Sequence, residues 1–112
     1  MRRAAKVDAN QSEIVAALRK AGATVQPLHT VGQGCPDLLV GHHGRNILME
    51  VKDGSKPPSG RSLTDDQVKW VNAWRGQWVL VNSIEDALGC LGITKLSKPS
   101  DVAFVPFLGQ IS

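Results

Sequence analysis

The sequence predicts a single α/β domain in which helices flank a small mixed β-sheet. The chain has 112 residues, which suffices for one domain with a hydrophobic core and is too few for two. Two apolar runs separated by His43-Gly44 indicate a β-hairpin with a two-residue turn. Around this hairpin the patterns follow the order helix, strand, strand, helix, strand, helix. That alternation is typical of α/β domains, so residues 1–112 are expected to form one domain.

A cap, an apolar stripe and a stop predict the first helix. Asp8 or Asn10 can cap a helix that runs to about Lys20, and Gly22 supplies the stop. A short extended segment is expected at residues 24–28, before a loop that leads into the hairpin. The residues of the apolar stripe are Ile14, Val15, Ala17, Leu18 and Ala21.

The hairpin strands are predicted at residues 37–41 and 46–52. A two-residue turn sets the register of the hairpin, and this register places Asp37 directly opposite Glu50. Apolar residues occur on both faces of these strands, so we expect the sheet to be covered on both sides.

A second helix is predicted after residues 53–63, which form the most loop-like stretch of the chain. Thr64 and Gln67 fit a capping box at the start of this helix, which ends near Gly76. Its apolar residues are expected to point inward: Val68, Val71 and Trp74.

The last elements complete a core at about residues 8–92. Trp78–Val81 suits a buried strand, and a right-handed crossover through the second helix would make it a parallel neighbour of the hairpin. Ser83 caps a final helix that runs to about Leu91. The C-terminal extension 93–112 is apolar but interrupted by proline, which fits an edge strand, a tail on the core or a dimer contact.

The composition predicts a soluble protein, and we expect no membrane anchor. Hydrophobic residues make up 42% of the chain and charged residues 21%, which is ordinary for a globular domain. No apolar run approaches the length of a membrane span, and the N-terminus lacks the hydrophobic stretch of a signal peptide. Cys35 and Cys90 have no metal-site spacing and are expected to be reduced thiols. We therefore expect a cytoplasmic location and no membrane partner.

A mild excess of basic residues favours a polyanionic partner. The net charge is +3, although many basic proteins bind no nucleic acid. Two of the ten acids belong to the metal site predicted below, where a bound cation would neutralise them. The surface that faces a substrate is therefore expected to be more basic than the net charge of the chain indicates. Four basic residues are expected in or near the loops around that site, where they would contact phosphates: Arg45, Lys56, Arg61 and Lys69.

The predicted hairpin register creates a candidate metal site. Opposed residues of a hairpin have β-carbons roughly 4.5–5.5 Å apart, which would let Asp37 and Glu50 share one Mg²⁺ ion. Lys52 lies two residues beyond Glu50 and therefore points to the same face of the sheet. Two carboxylates and a lysine at the end of a sheet are the residue types of a metal-dependent phosphodiesterase.

The ligand types favour Mg²⁺ or Mn²⁺. Hard cations of this kind take oxygen ligands and keep several waters, whereas no Cys/His cluster in this sequence argues for zinc. The neighbouring carboxylates favour the charged form of Lys52, so we expect it to position water and stabilise negative charge rather than act as a base. The residues leave open whether one metal or two would bind.

Each of these residues also has an ordinary structural interpretation. Asp37 after Pro36 is typical of a turn, and Glu50 with Lys52 would suit the solvated face of a strand. Their combination beside apolar residues favours the metal site, because buried charges need partners. A helix-surface position is the default for Glu13.

Three runs of residues resemble the motifs of a known family. The runs Gly34-Cys35-Pro36-Asp37, Glu50-Val51-Lys52 and Leu63-Thr64-Asp65-Asp66-Gln67 look like the VRR-NUC branch of the PD-(D/E)XK nuclease superfamily. The resemblance covers roughly residues 12–81 and implies a restriction-endonuclease-like core. Stand-alone domains of this length resemble the bacteriophage and bacterial members, which the family associates with branched-DNA cleavage as homodimers.

The resemblance also implies roles for individual residues. Asp37 and Glu50 would be metal ligands together with the main-chain carbonyl of Val51. Glu13 matches the acid of the first helix and would reach the metal directly or through water. Lys52 would orient or activate the attacking water, and Gln67 would support Lys52 or a ligand. The insert at residues 53–62 departs from the family pattern and puts the substrate geometry in doubt.

The predicted function is a Mg²⁺- or Mn²⁺-dependent DNA endonuclease that acts on branched DNA such as four-way (Holliday) junctions. The resemblance implies a homodimer in a bacterial cell or a phage-infected host, without an organic cofactor. Two alternatives remain: a nuclease or nickase for flap, single-stranded or duplex DNA, and a DNA-binding module of the same fold that does not cleave.

Overall fold

A four-stranded mixed sheet organises the protein. The structure is a computed structural model and describes residues 8–93. The elements are α1 Gln11–Lys20, β1 Thr24–Pro27, β2 Leu38–His42, β3 Arg45–Val51, a 3₁₀ turn at Pro58–Gly60, α2 Asp65–Ala73, β4 Trp78–Val81 and α3 Ile84–Cys90. The strands lie in the order β1-β2-β3-β4; β1 pairs antiparallel with β2 and β2 antiparallel with β3, whereas β3 and β4 are parallel. The predicted C-terminal extension lies outside the described residues except for Ile93.

The hairpin of β2 and β3 has the register predicted from its turn. His43 and Gly44 both have positive φ angles, 49° and 79°, which are the signs that a type I′ turn requires. His42 pairs with Arg45 and Leu38 with Met49. One residue further along this register, Asp37 lies opposite Glu50.

The hydrophobic core lies on one face of the sheet, under α1 and α3. Strand side chains alternate between faces, and the apolar residues of one set are buried against the two helices. The largest fully buried apolar side chains are Ile14, Leu18, Leu38, Val40, Met49, Val51 and Val81.

Within residues 8–93, the opposite face is covered only in part, which is less than the prediction of a sheet covered on both sides implies. Leu48 is buried on this face, but Leu39 and Leu80 are exposed. Helix α2 contains no buried residue, and Val68 and Trp74 are exposed rather than turned into a core. Hydrophobic periodicity identifies the residues that share a helix face but not whether another element covers them.

The carboxyl ends of the parallel strands β3 and β4 are held together by contacts beyond the strands. The amide of Lys52 donates to the carbonyl of Val81 at 3.0 Å, which continues the parallel pairing. The sequence suggested Asn10 as a cap of α1, but its side chain makes no capping hydrogen bond. Its Nδ2 instead donates to the carbonyls of Lys52 and Asn82, both at 3.1 Å. The start of α1 is thereby tied to the strand ends where ligands bind in open α/β sheets.

Among residues 8–93, no helix is long and apolar enough to cross a membrane.

Candidate metal centre

Asp37 and Glu50 meet at the open end of the hairpin. Asp37 directly precedes β2, and its Oδ2 accepts a hydrogen bond of 2.8 Å from the amide of Val51. Only 6% of Asp37 and 2% of Glu50 is exposed. The main chain of β3 therefore orients the Asp37 carboxylate toward Glu50, and both groups are withdrawn from bulk water.

Burial makes this carboxylate pair hold protons unusually tightly. It raises the pKa of Glu50 to about 8, with a further rise from the charge of Asp37 and an opposing effect of Lys52. Burial also raises the pKa of Asp37, while the hydrogen bond from the Val51 amide opposes that rise. Two ionised carboxylates in a buried site are costly without a compensating positive charge, so the pair is suited to bind a cation.

Gln67 forms hydrogen bonds to both Glu50, in β3, and Lys52, directly after β3. Its Oε1 accepts from Lys52 Nζ at 2.8 Å, and its Nε2 donates to Glu50 Oε2 at 2.8 Å. These two partners set the orientation of the amide, since only the oxygen can accept from the lysine. Lys52 Nζ lies 3.7 Å from Glu50 Oε2 and is 8% exposed as a residue. The lysine is thus held on the same face as the carboxylates, as its spacing predicts.

The predicted capping box belongs to the same network. Thr64 Oγ1 accepts from the amide of Gln67 at 3.2 Å, and Gln67 Oε1 accepts from the amide of Thr64 at 2.9 Å. The start of α2 therefore fixes the backbone and the side chain of Gln67 together. One glutamine links the beginning of a helix to Glu50 and Lys52.

A glycine in the preceding loop lets that loop approach α2. Gly34 has φ +85°, and a β-carbon there would lie 2.3 Å from the carbonyl oxygen of Asp66. No residue with a side chain fits this contact without a backbone shift. The loop and the first turn of α2 together close one side of a cavity of about 380 Å³ that also contains Asp37 and Glu50.

The acid nearest to this cavity from the N-terminal side is Asp8, not Glu13. Asp8 lines the cavity, and its charge contributes to the raised pKa of both Glu50 and Asp37. Glu13 is exposed on α1 and lines a neighbouring cavity with Asn10 and Asp53. Glu13 therefore lines a different cavity from the one that contains the carboxylate pair. Sequence reasoning treated Asp8 only as a cap, although α1 begins three residues later and leaves Asp8 beside the site.

The basic residues expected around the site lie at different distances from it. Lys56 Nζ is 3.9 Å from Asp8 Oδ1, at the rim of the cavity. Arg61 Nε donates to the carbonyl of Lys56 at 2.7 Å, and Lys69 is exposed on α2. Arg45 pairs with His42 next to the hairpin turn. Glu50 lies five positions further along β3, which is roughly 17 Å of strand, so the structure does not bring Arg45 to the carboxylate pair.

The donor set fits a hard cation that keeps water ligands. Within residues 8–93, no group of three or more His, Cys, Asp and Glu side chains converges on one point. Asp37 and Glu50 offer carboxylate oxygens, and Mg²⁺ binds through one or two carboxylates with water completing its shell. Cys35 lines the same cavity, but burial and the carboxylates of Glu50 and Asp37 raise the pKa of its thiol. A protonated thiol is a poor zinc ligand.

Comparison with known proteins supports the fold. A solved structure described as a VRR_NUC domain aligns with 72% of this chain and 88% of its own, at 24% sequence identity and a TM-score of 0.54. No protein-family model and no curated protein matches the chain. The chain therefore has the α/β fold of that VRR_NUC domain, with the restriction-endonuclease-like core that the resemblance implied.

Proposed function

We propose that this protein is a metal-dependent DNA endonuclease of the VRR-NUC branch of the PD-(D/E)XK superfamily. The cluster of Asp37, Glu50, Lys52 and Gln67 at the carboxyl ends of β3 and β4 carries this proposal. A structural role alone would not call for two buried carboxylates side by side, because burying them costs free energy. A bound cation would offset this cost, so the arrangement fits a metal-binding site better than a purely structural role.

Asp37, Glu50 and the Val51 carbonyl would hold Mg²⁺ or Mn²⁺. The bound ion would acidify a water molecule and offset the charge that builds up on the phosphate during hydrolysis. The raised pKa of Glu50, about 8, fits this role, because a bound cation would offset the negative charge that a proton otherwise neutralises on the pair.

The remaining residues position the reactants. Lys52 would supply a positive charge next to the attacking water and the scissile phosphate. Gln67 would keep Lys52 and Glu50 in place through its two hydrogen bonds of 2.8 Å. Asp8 would bind the ion through water, because it lines the cavity without joining a three-ligand cluster. Glu13 has no part in this arrangement.

Branched DNA is the proposed substrate, and a homodimer the proposed form. Both rest on the resemblance to the phage and bacterial members of the branch. Two sites related by a two-fold axis would suit symmetric cleavage of a four-way junction.

The proposal is tested by incubating the protein with labelled four-way junction, flap, single-stranded and duplex DNA, with Mg²⁺, Mn²⁺ or EDTA. We expect metal-dependent cleavage by the wild type and none by Asp37→Asn. Asp65→Asn is the matched control, because it removes the same charge from an exposed position in the first turn of α2. Cleavage that persists in Asp37→Asn, or that proceeds in EDTA, would contradict the proposed site.

A further inference from the structure

Helix α2 extends the site along a line of aromatic side chains. Residues that lie three, four and seven positions apart share one face of a helix. Gln67, which contacts the metal centre, therefore shares its face with Trp70, Val71 and Trp74. At a rise of 1.5 Å per residue, Trp74 lies about 10 Å from Gln67 along the helix axis.

Trp74 is fixed in place although it is exposed. Its indole stacks on the ring of Trp70 with centroids 4.8 Å apart, and its Nε1 donates to the carbonyl of Gln77 at 3.2 Å. Gly76 passes so close that a β-carbon there would lie 2.9 Å from Trp74 Nε1. Nevertheless 42% of Trp74 is exposed. A large aromatic side chain held rigidly at the surface loses little conformational entropy when it binds a partner.

The charge around Trp74 favours a polyanionic partner. Residues 67–76 contain Lys69 and Arg75 and no acidic residue. Both cations are exposed. An exposed aromatic side chain followed directly in the chain by a cation, Arg75, matches single-stranded nucleic acid, whose bases stack on the ring while its phosphates meet the positive charge.

We propose that Trp74 is a stacking platform for an unpaired nucleobase, so that the preferred DNA substrate has unpaired nucleotides close to the phosphate that is cleaved. This inference rests on the proposed function, because it requires the DNA strand to run from the metal centre along α2. Within a duplex both faces of a base are covered by its neighbours, and only an unstacked base can offer a face to Trp74. Among branched DNA substrates, those with unpaired nucleotides, such as forks and flaps, would therefore be preferred, and a fully paired duplex would be a poor substrate.

The test measures binding in EDTA, where no cleavage is expected, by fluorescence anisotropy. The probes are a labelled fork with an unpaired arm and a fully paired duplex of the same length. Stacking contributes about 1–3 kcal/mol per base, so Trp74→Ala should weaken binding of the fork by about 5- to 150-fold. Binding of the duplex should change less than about twofold. Trp74→Phe should keep most of the affinity for the fork, because it retains an aromatic ring.

Val68→Ala is the matched control, since Val68 is a similarly exposed apolar residue on another face of α2. It should bind both probes like the wild type. Equal affinity of wild type and Trp74→Ala for the fork would overturn the proposal. An equal loss for fork and duplex in Trp74→Ala would also overturn it, as would a change from dimer to monomer in light scattering, which would identify this surface as a contact between two copies.

The outcome for Trp74 can be separated from the outcome for the proposed function. A wild type that binds the fork through Trp74 but cleaves no DNA with Mg²⁺ or Mn²⁺ supports the platform and refutes the nuclease. A wild type that cleaves DNA while Trp74→Ala binds normally supports the nuclease and refutes the platform. Trp74→Leu keeps the test decisive if Trp74→Ala does not fold, because it removes the aromatic ring but keeps a large apolar side chain. A fork affinity equal to that of the wild type would then overturn the platform.

Discussion

The buried carboxylate pair makes the stability of the metal-free protein depend on pH in a definite direction. The pKa of Glu50 is about 8 in the folded protein, against an ordinary value of 4.5. Between these pH values the folded state holds a proton that the unfolded state has released. Stability must therefore fall as pH rises through this window, and the raised pKa of Asp37 acts in the same direction.

The size of the effect follows from the same shift. One proton held only by the folded state changes the free energy of unfolding by up to about 1.4 kcal/mol per pH unit. Across the window the loss is on the order of 3–5 kcal/mol, a large part of the stability of a small domain. Mg²⁺ should restore stability most at high pH, because it takes the place of the proton, by about 2.7 kcal/mol at 100 times its dissociation constant.

Urea unfolding from pH 5 to 8, with EDTA or with Mg²⁺, measures this dependence. Glu50→Gln should lose most of the slope, because a neutral amide replaces the group with the largest pKa shift. Glu13→Gln makes the same chemical change at an exposed position and should keep the wild-type slope. The reasoning is refuted if wild type and Glu50→Gln show the same pH dependence in EDTA, or if stability of the wild type rises from pH 5 to 8.

Three further predictions concern the residues around the pair. Gln67→Ala should lower the free energy of unfolding by about 3 kcal/mol, because it leaves Glu50 and Lys52 without their shared partner. Thr64→Ala should lower it by only about 1 kcal/mol, through loss of the helix cap. Urea unfolding compares the two variants, and equal losses would contradict the role of Gln67. Asp8→Asn should weaken Mn²⁺ binding about 10-fold in calorimetry while Glu13→Gln leaves it unchanged, and the reverse result would restore Glu13 to the site. Gly34→Ala should destabilise the fold by about 3 kcal/mol, because the added β-carbon would clash with the Asp66 carbonyl. Gly32 also has a positive φ but open space around it, so Gly32→Ala should destabilise the fold by only about 1 kcal/mol. Similar melting temperatures of the two variants would contradict this packing.

The parts of the fold that local patterns determine could be predicted from the sequence. The His43-Gly44 turn sets the hairpin register, and a slip by one residue would move every apolar side chain to the other face. That register is sufficient to bring Asp37 and Glu50 together. The capping box of Thr64 and Gln67 is equally local and forms as predicted.

The parts that depend on contacts between distant segments could not be predicted. The apolar stripe of α2 does not show that Trp74 is left exposed by the elements of residues 8–93, because periodicity contains no information about the packing partner. Asn10 has the residue type of a cap, yet its side chain binds the carbonyls of Lys52 and Asn82, which only the folded chain brings near. Asp8, two residues before Asn10, lines the cavity with the carboxylate pair, whereas the family resemblance had pointed to Glu13 as the acid from the first helix.

The central claim is that the Asp37–Glu50 pair holds the ion of a phosphodiesterase and that Lys52 acts beside it. Single-turnover cleavage of the preferred DNA by wild type, Lys52→Ala and Lys20→Ala, with Mn²⁺ binding measured on the same preparations, tests it most directly. The account predicts that Lys52→Ala loses at least about 100-fold in rate while it still binds Mn²⁺, and that Lys20→Ala, at an exposed position in the last turn of α1, cleaves within a few-fold of the wild type. Cleavage by Lys52→Ala at the wild-type rate, or a wild type that cleaves no DNA with either metal, would contradict it.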